Sequence, residues 1–327
     1  MTTTPSLTTS TAHESLVSPD GVSVSFLQVT PASPRGIAVL LPAMGVGAGY
    51  YAKAAECLAQ HGLAVAVLEL RGQGDSEIKP ARGVDFGYAE LLDDLAVTLQ
   101  SRRRKFPGIP VVLLGHSLGG HLSILQIATK PRSVDAVVLI ATATPHHGPY
   151  EGAARWKVGL GTRMVRFVSS ILGYYPGHRL GFGGLQPKTL MREWTRMAQS
   201  ASYALEGSTL AIEAALQEVS IPVLALAIDG DEVAPRAACK AIVAKLPKAQ
   251  VDWVELGAPQ LSPRACHHQR WAREPAPVME EVLAFIQRRV LKASEARDSL
   301  ESDVGATDEP PMAAPHELTK RVNLEAL

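Results

Sequence analysis

Ser117 lies in the pentapeptide Gly115-His116-Ser117-Leu118-Gly119, the segment of this sequence whose spacing most directly suggests chemistry. A serine on a very tight turn between a strand and a helix is held with its hydroxyl exposed, and bulky side chains two positions away would collide with the backbone. The apolar run PVVLL precedes the pentapeptide, and an amphipathic stretch follows it. This context predicts a nucleophilic serine, and a plain glycine-rich turn is the structural alternative.

Two aspartates follow a later apolar run and are candidates for a carboxylate that orients a histidine. The run PVLALAI ends at Ile228, and the segment Asp229-Gly230-Asp231 comes directly after it. Pro235 stands where the next helix would begin, so either aspartate has a structural alternative as a helix cap. We favour a catalytic acid, and the residues alone leave Asp229 and Asp231 both open.

Two adjacent histidines are candidates for the base that would activate the serine. His267 and His268 lie between the last apolar run, which ends near Leu256, and the final predicted helix. Cys266 precedes them, but three adjacent residues on one loop do not easily converge on one ion, so we expect no metal site. One imidazole between a serine and a carboxylate would complete a Ser-His-Asp triad.

Short apolar runs alternate with longer amphipathic stretches along the chain. Strands that are apolar on both faces are typical of a parallel sheet covered by helices, so the alternation predicts a doubly wound, mostly parallel α/β sheet. Residues 22–29 instead alternate between apolar and polar, which predicts an exposed antiparallel edge strand. The other predicted strands cover residues 37–42, 63–70, 110–115, 134–140, 222–228 and 251–256, and the predicted helices cover residues 51–61, 88–104, 118–129, 235–246 and 277–290.

The chain is predicted to consist of a core, an insertion and two tails. Residues 145–218 pass without a clear strand and carry several helical patterns, which predicts a helical cap over a site. Residues 1–16 are rich in Thr and Ser, and residues 293–327 are polar and acidic, so we expect both ends to be disordered tails. The predicted α/β core then comprises residues 17–144 and 219–292.

Composition and charge exclude several classes of function. The 32 basic and 32 acidic side chains balance, whereas a nucleic-acid-binding protein would show an excess of basic residues on one face. Three cysteines without ligand-like spacing predict neither a disulfide framework nor a zinc site, and they indicate a reducing compartment. The N-terminus lacks a secretory signal, and the longest uncharged apolar segment, residues 37–51, is interrupted by proline and glycine. We therefore expect a cytoplasmic protein with no cofactor and no stable membrane insertion.

The sequence resembles the α/β-hydrolase superfamily, in particular its esterase-like and serine-aminopeptidase-like branch, over roughly residues 20 to 290. The resemblance rests on the pentapeptide around Ser117, on the segment Arg71-Gly72-Gln73-Gly74-Asp75-Ser76, and on the order serine, acid, histidine along the chain. A more particular likeness is to a group of predicted bacterial α/β hydrolases. These have a small-residue turn after the first core strand, a cap stretch like Gly173-Tyr174-Tyr175-Pro176-Gly177, and a tryptophan at the position of Trp271.

The resemblance implies roles for individual residues. The acid of this superfamily often lies four residues before a proline that opens the next helix, which favours Asp231 over Asp229. The base of the related bacterial group precedes a tryptophan by three residues, which favours His268 over His267. The resemblance therefore implies a triad of Ser117, Asp231 and His268.

The resemblance also implies two backbone N–H groups that bind a developing oxyanion. One belongs to Leu118, the residue after the nucleophile, and the other belongs to Met44, in the loop after the first core strand. Most relatives have a His-Gly pair where this chain has Pro42-Ala43. A backbone donor does not depend on the type of side chain, so Met44 is still the expected donor.

These residues predict a serine hydrolase that cleaves a small carboxylic ester through an acyl-enzyme on Ser117. An acyltransferase that uses the same acyl-enzyme stays open as an alternative, and so does a non-catalytic binding protein on the same scaffold. A dehalogenase is disfavoured because it would need an aspartate in place of Ser117. Apolar side chains of the cap are expected either to line an acyl pocket or to pack the cap onto the core; they are Trp156, Met164, Phe167, Ile171, Leu172, Tyr174 and Tyr175.

Overall fold

A mostly parallel β-sheet with helices on both faces is the centre of the fold. The computed structural model describes residues 8–294 of the chain. Its strands are β1 (Thr9–Val17), β2 (Ser23–Pro31), β3 (Gly36–Leu41), β4 (Leu63–Leu68), β5 (Val111–His116), β6 (Ala136–Ile140), β7 (Tyr174–Pro176), β8 (Leu185–Pro187), β9 (Pro222–Ile228) and β10 (Gln250–Leu256). Its α-helices are α1 (Ala52–Gln60), α2 (Tyr88–Lys105), α3 (Leu118–Thr129), α4 (Gly152–Leu172), α5 (Gly177–Leu180), α6 (Lys188–Ser200), α7 (Ile212–Gln217), α8 (Arg236–Val243) and α9 (Ala276–Ile286).

The large sheet has the strand order β1-β2-β4-β3-β5-β6-β9-β10. Neighbouring strands pair in parallel along β4-β3-β5-β6-β9-β10. β2 pairs antiparallel to β4, and β1 pairs antiparallel to β2. Every residue of β3 to β6 is buried, because α1 and α9 cover one face and α2 and α3 cover the other. The prediction of a doubly wound, mostly parallel α/β sheet is confirmed.

The N-terminal region corrects two expectations. Residues 9–16, which the sequence assigns to a disordered tail, form most of strand β1, and residues 1–7 lie outside the described part. β1 pairs along the outer side of β2, so β2 is not the edge strand that its alternation predicts. A strand with little apolar content forms here because backbone hydrogen bonds and β-branched threonines suit an exposed edge. Ion pairs from Glu14 to Arg102, at 2.9 Å, and to Lys105, at 2.6 Å, attach it to α2.

Residues 145–218, called the cap below, contain α4 to α7 and two short strands. β7 and β8 pair in an antiparallel hairpin that the sequence does not predict, because a strand of three residues is too short to display a period. The buried Glu193 carboxylate of α6 accepts hydrogen bonds from the N–H groups of Tyr88 and Glu206, both at 2.8 Å. Burial raises the pKa of Glu193. This side chain attaches the cap to the first turn of α2.

The C-terminal end of the described part is helical. α9 continues into a π-helical turn at Gln287–Leu291, and the described chain ends at residue 294. Almost all of the predicted acidic tail over residues 293–327 lies outside the described residues. Among residues 8–294, none of the helices is both long enough and apolar enough to cross a bilayer.

Candidate active site

Ser117 occupies a strained turn between the carboxyl end of β5 and the start of α3. Its backbone angles, φ 53° and ψ −111°, lie in a region that side-chain-bearing residues rarely adopt. Its N–H group donates to the carbonyl of Ile140 at 3.0 Å, which ties the turn to the end of β6. A Cβ atom on Gly119 would collide with the Leu41 carbonyl, and one on Gly120 would collide with the Thr142 hydroxyl. The glycines after the serine are therefore needed for close backbone packing.

The His268 imidazole lies between the Ser117 hydroxyl and the Asp231 carboxylate. Nε2 is 2.9 Å from Ser117 Oγ, and Nδ1 is 2.7 Å from Asp231 Oδ2. The other carboxylate oxygen accepts the N–H groups of Val233 at 2.9 Å and Ala234 at 3.0 Å. Asp231 is 4% exposed and His268 is 8% exposed. Because the carboxylate accepts the Nδ1 proton, Nε2 is left to accept the proton of the serine hydroxyl.

The two neighbouring candidates lie outside this arrangement. Asp229 is exposed, and its N–H group donates to the Leu256 carbonyl at 2.8 Å. His267 is exposed and lines the cavity in front of Ser117, but its ring makes no hydrogen bond to the serine or to an aspartate within residues 8–294. Of the candidates in the sequence, the structure brings Ser117, Asp231 and His268 together.

Side chains from the segment after β4 hold the loop that follows β3, residues 42–48 (the β3 loop). Gln73 Oε1 accepts the N–H groups of Gly45 at 2.5 Å and of Val46 at 3.0 Å. Both carboxylate oxygens of Glu69 lie 3.2 Å from the Ala48 nitrogen, which donates to them. Burial raises the pKa of Glu69. The segment around Gln73 stands out in the sequence only through its resemblance to a family, and this contact is not predicted from it.

Met44 and Leu118, the two predicted oxyanion donors, both line the cavity that Ser117 faces. Within residues 8–294, neither of their N–H groups has a hydrogen-bond acceptor. Leu118 is the first residue of α3, where a backbone N–H has no partner inside the helix. The N–H groups of Ala43, Gly45, Val46 and Ala48 in the β3 loop donate to side chains, whereas that of Met44 does not.

His116 lies directly behind the His268 ring, and the sequence predicts no separate role for it. Its Nδ1 is 2.7 Å from the Tyr51 hydroxyl, and its Nε2 is 3.4 Å from the indole nitrogen of Trp271. The His116 and His268 ring centroids are 5.0 Å apart. Burial, together with the neighbouring His268, lowers the pKa of His116 well below its usual range. A neutral His116 ring therefore packs against the His268 ring. The Tyr51 hydroxyl also accepts the Ala43 N–H at 3.0 Å, which connects this network to the β3 loop.

Two cavities adjoin each other at this site. The catalytic cavity, of about 320 Å³, lies between Ser117, His268 and the β3 loop. The cap cavity, of about 420 Å³, is lined mainly by apolar side chains of the cap, among them Val158, Met164 and Tyr175. The side chains that line both cavities are Pro145, Tyr150, Phe182, Trp194 and Val233. The two cavities meet at these shared side chains.

Across the described range, 8–294, no group of three or more His, Cys, Asp or Glu side chains is arranged to hold an ion. Cys266, which precedes the two histidines, is a free thiol.

Solved structures of other proteins share this fold. A carboxyl esterase from Bacillus coagulans superposes with a TM-score of 0.61 at 16% identity, covering 86% of this chain and 99% of that chain. A thioesterase domain from the curacin biosynthetic pathway superposes with a TM-score of 0.54 at 15% identity, covering 84% of this chain and 99% of the other. At these identities the similarity concerns the fold alone.

Curated relatives are similar over part of their length. The human monoglyceride lipase is 31% identical over 147 residues, which are 44% of this chain and 46% of the lipase. The monoacylglycerol lipase of Mycolicibacterium smegmatis is 31% identical over 128 residues, which are 39% of this chain and 45% of that protein. The chain thus spans less than half the length of these relatives. A family model described as serine aminopeptidase, S33, matches residues 32–255. The chain belongs to this serine aminopeptidase S33 family of the α/β-hydrolase superfamily.

Proposed function

We propose that this protein is a serine hydrolase that cleaves carboxylic esters with an apolar acyl group. The observation that carries the proposal is the position of the His268 imidazole, which is 2.9 Å from the Ser117 hydroxyl and 2.7 Å from the Asp231 carboxylate. A serine, an imidazole and a carboxylate in this order form the constellation that activates a hydroxyl for acyl transfer. The names of the relatives, monoglyceride lipase and monoacylglycerol lipase, support an ester as the substrate.

The proposed reaction has two steps that use the same base. His268 Nε2 takes the Ser117 proton while Oγ attacks the ester carbonyl carbon, and Asp231 stabilises the imidazolium that forms. The tetrahedral intermediate then collapses, the proton passes to the leaving alcohol oxygen, and the acyl group stays on Ser117. A water molecule that gives its proton to Nε2 attacks this acyl-enzyme and releases the carboxylic acid.

The N–H groups of Met44 and Leu118 are the proposed donors to the tetrahedral oxyanion. Both residues line the catalytic cavity, and neither N–H has an acceptor within the described residues. Gln73 and the Tyr51 hydroxyl bind the N–H groups on either side of Met44, so the β3 loop is held before substrate arrives. Donors that are fixed in advance stabilise a developing charge without reorganisation during the reaction.

The cap cavity is the proposed site of the acyl chain. It adjoins the catalytic cavity, and most of the side chains around it are apolar. An apolar pocket next to a few polar groups is the usual composition of a ligand site. The substrate class that fits is an ester whose acyl chain is long enough to leave the catalytic cavity.

The nucleophile is tested with a fluorophosphonate probe and p-nitrophenyl esters. We expect the parent to be labelled and to release free acid as the main product even when an alcohol is added, which separates hydrolysis from acyl transfer. Ser117→Ala should lose both labelling and turnover. The matched control is Ser123→Ala, because Ser123 is a buried serine in α3 whose hydroxyl donates only to the Gly119 carbonyl. Retained turnover in Ser117→Ala would contradict the mechanism.

The acyl site is tested by narrowing the cap cavity. Gly161 lines this cavity, and a Cβ atom added there meets no atom within 4 Å, so Gly161→Leu projects a side chain into open space. We expect this variant to shift the preferred acyl chain to shorter esters and to leave kcat for the shortest ester near the parent value. Gly159→Leu on the same helix is the control, because Gly159 does not line the cavity. An unchanged chain-length profile in Gly161→Leu would place the acyl chain elsewhere.

A further inference from the structure

α4 turns its large apolar side chains toward solvent. The residues it buries against the rest of the protein are Thr162, Val165 and Ser169. A surface helix normally shows the opposite arrangement, with its apolar stripe on the core and its polar side chains in water. The exposed residues form what we call the α4 stripe: Trp156 (79% exposed), Leu160 (65%), Met164 (56%), Phe167 (65%) and Ile171 (56%).

The α4 stripe is continuous along the helix. Its members follow one another at intervals of three or four residues, and at about 100° per residue they fall within an arc of about 80°. Trp156, Phe167 and Ile171 neither line the cap cavity nor pack the cap onto the core, which were the two roles expected from the sequence. Leu160 does neither as well, and Met164 is the member that lines the cavity. A contiguous exposed apolar patch of this kind marks an interaction surface.

Positive charge surrounds the α4 stripe. Arg163 and Arg166 flank one edge of the arc, and Lys157 flanks the other. The chain from residue 152 to residue 192 contains no Asp or Glu. The charged side chains of this part of the cap are therefore all basic, although the net charge of the whole protein is zero. Its basic residues are Arg155, Lys157, Arg163, Arg166, Arg179, Lys188 and Arg192.

The α4 stripe also leads to the cap cavity. Met164, Leu180 and Phe182 are partly exposed and line this cavity, so apolar surface runs from the outside of the cap to the proposed acyl site. Phe182 lines the catalytic cavity as well. An apolar molecule that leaves a lipid phase at the α4 stripe would reach Ser117 without crossing bulk water.

We propose that the α4 stripe docks the cap on an anionic phospholipid bilayer, from which the ester substrate enters the cap cavity. The entry of substrate from the bilayer rests on the proposed hydrolase function, whereas the binding of the cap to the bilayer does not. A helix with a broad apolar face and basic flanks lies in the plane of a bilayer surface, with its apolar side chains below the headgroups and its cations against anionic lipids. Such docking is peripheral and needs no spanning helix.

A second copy of the chain is a weaker fit to the same surface. A two-fold interface through α4 would bring two regions with only basic side chains into contact, and like charges at an interface are unfavourable. An acidic protein would match the charge but not the broad apolar face, and binding to one is an outcome of the test below. A planar anionic surface matches both the stripe and its basic flanks.

The docking is tested by vesicle flotation of the full chain. Vesicles of phosphatidylcholine alone are compared with vesicles that contain phosphatidylglycerol, and we expect at least about tenfold stronger binding to the anionic ones. Binding should fall at about 1 M salt, where the screening length is about 3 Å. Leu160→Ser combined with Phe167→Ser should weaken binding about tenfold or more, and these residues do not line either cavity. Val17→Ser combined with Val84→Ser is the control, because both are exposed apolar residues outside the cap.

The activity of the same variants separates the docking from the hydrolase function. Leu160→Ser/Phe167→Ser should keep parent turnover on a soluble short-chain ester and lose turnover on an ester embedded in anionic vesicles. Vesicle binding that this double variant leaves unchanged would overturn the docking, and so would a parent protein that hydrolyses soluble esters but binds no vesicle. A parent that dimerises through the stripe, or that prefers an acidic protein to anionic vesicles, would also overturn it. Vesicle binding without any ester hydrolysis would overturn the hydrolase function alone.

Discussion

Replacing Gln73 with leucine removes the side chain that holds the β3 loop next to Met44. Gln73 Oε1 is the acceptor of the Gly45 N–H at 2.5 Å and of the Val46 N–H at 3.0 Å. Leucine is similar in size but offers no acceptor, so the two N–H groups after Met44 are released. We expect Gln73→Leu to lower kcat for ester hydrolysis while KM changes little, because the Met44 N–H is proposed to act on the transition state.

The structure indicates that Gln73→Leu lowers kcat more than it lowers the free energy of unfolding. Val46 N–H keeps a second acceptor, the Ala43 carbonyl at 3.1 Å, and Gly45 is exposed to water. The substitution also removes Gln73 Nε2, a buried nitrogen without a partner among the described residues. The free energy of unfolding should therefore fall by only about 1 kcal/mol. Loss of one oxyanion donor lowers kcat by about 10²- to 10³-fold, so a displaced Met44 N–H accounts for up to that factor.

The assay measures kcat and KM for a p-nitrophenyl ester beside the urea midpoint of unfolding. Gln126→Leu is the matched control, because Gln126 is as buried as Gln73 but lies near the far end of α3 from Ser117. We expect Gln126→Leu to be less stable than the parent but to keep the parent kcat. We expect Gln73→Leu to have a much lower kcat and nearly the parent stability. If kcat of Gln73→Leu stays within about threefold of the parent value, Gln73 does not position the Met44 N–H for catalysis.

Three further predictions follow from the site. Asp231→Asn should lower kcat by about 10⁴-fold at unchanged fold, measured by turnover and circular dichroism, and a loss below tenfold would remove the acid from the mechanism. His268→Ala should abolish turnover whereas His267→Ala should retain most of it; the reverse result would reassign the base. Burial lowers the pKa of His121 to about 4. Between about pH 6.5 and pH 4, this histidine is therefore protonated in the unfolded chain but neutral in the folded chain. The free energy of unfolding should therefore fall by up to about 3 kcal/mol between pH 7.5 and pH 4 from this residue. His121→Gln keeps a donor and an acceptor for Ala143 and Tyr203 and should flatten that pH dependence, and equal slopes in both proteins would contradict the assignment.

Much of the fold was predictable because its signals are local. The apolar runs of β3 to β6 are buried on both faces, which makes them recognisable without any knowledge of their neighbours. β1 could not be predicted, because its residues are held by backbone pairing with β2 and by ion pairs to α2 rather than by their own apolar content. The β7–β8 hairpin was missed for a related reason, since each strand has only three residues.

The candidate site was predictable to the level of short segments. The residues narrowed the acid to Asp229 or Asp231 and the base to His267 or His268, and the family resemblance favoured one of each. Neighbouring loop residues differ in the direction of their side chains, which depends on the backbone path of the whole loop. The contacts of Gln73 leave no local pattern at all, because its partners lie 28 and 27 residues away in sequence.

The sequence by itself determined the alternation of strands and helices, the serine turn and the apolar character of the cap, because each depends on neighbouring residues. Only the tertiary structure decided which imidazole meets Ser117, which carboxylate meets that imidazole, and which N–H groups of the β3 loop donate to side chains. It also decided that the apolar side chains of α4 face solvent. Helical periodicity places them on one face but does not say what that face contacts, since this depends on where α6 and the core pack.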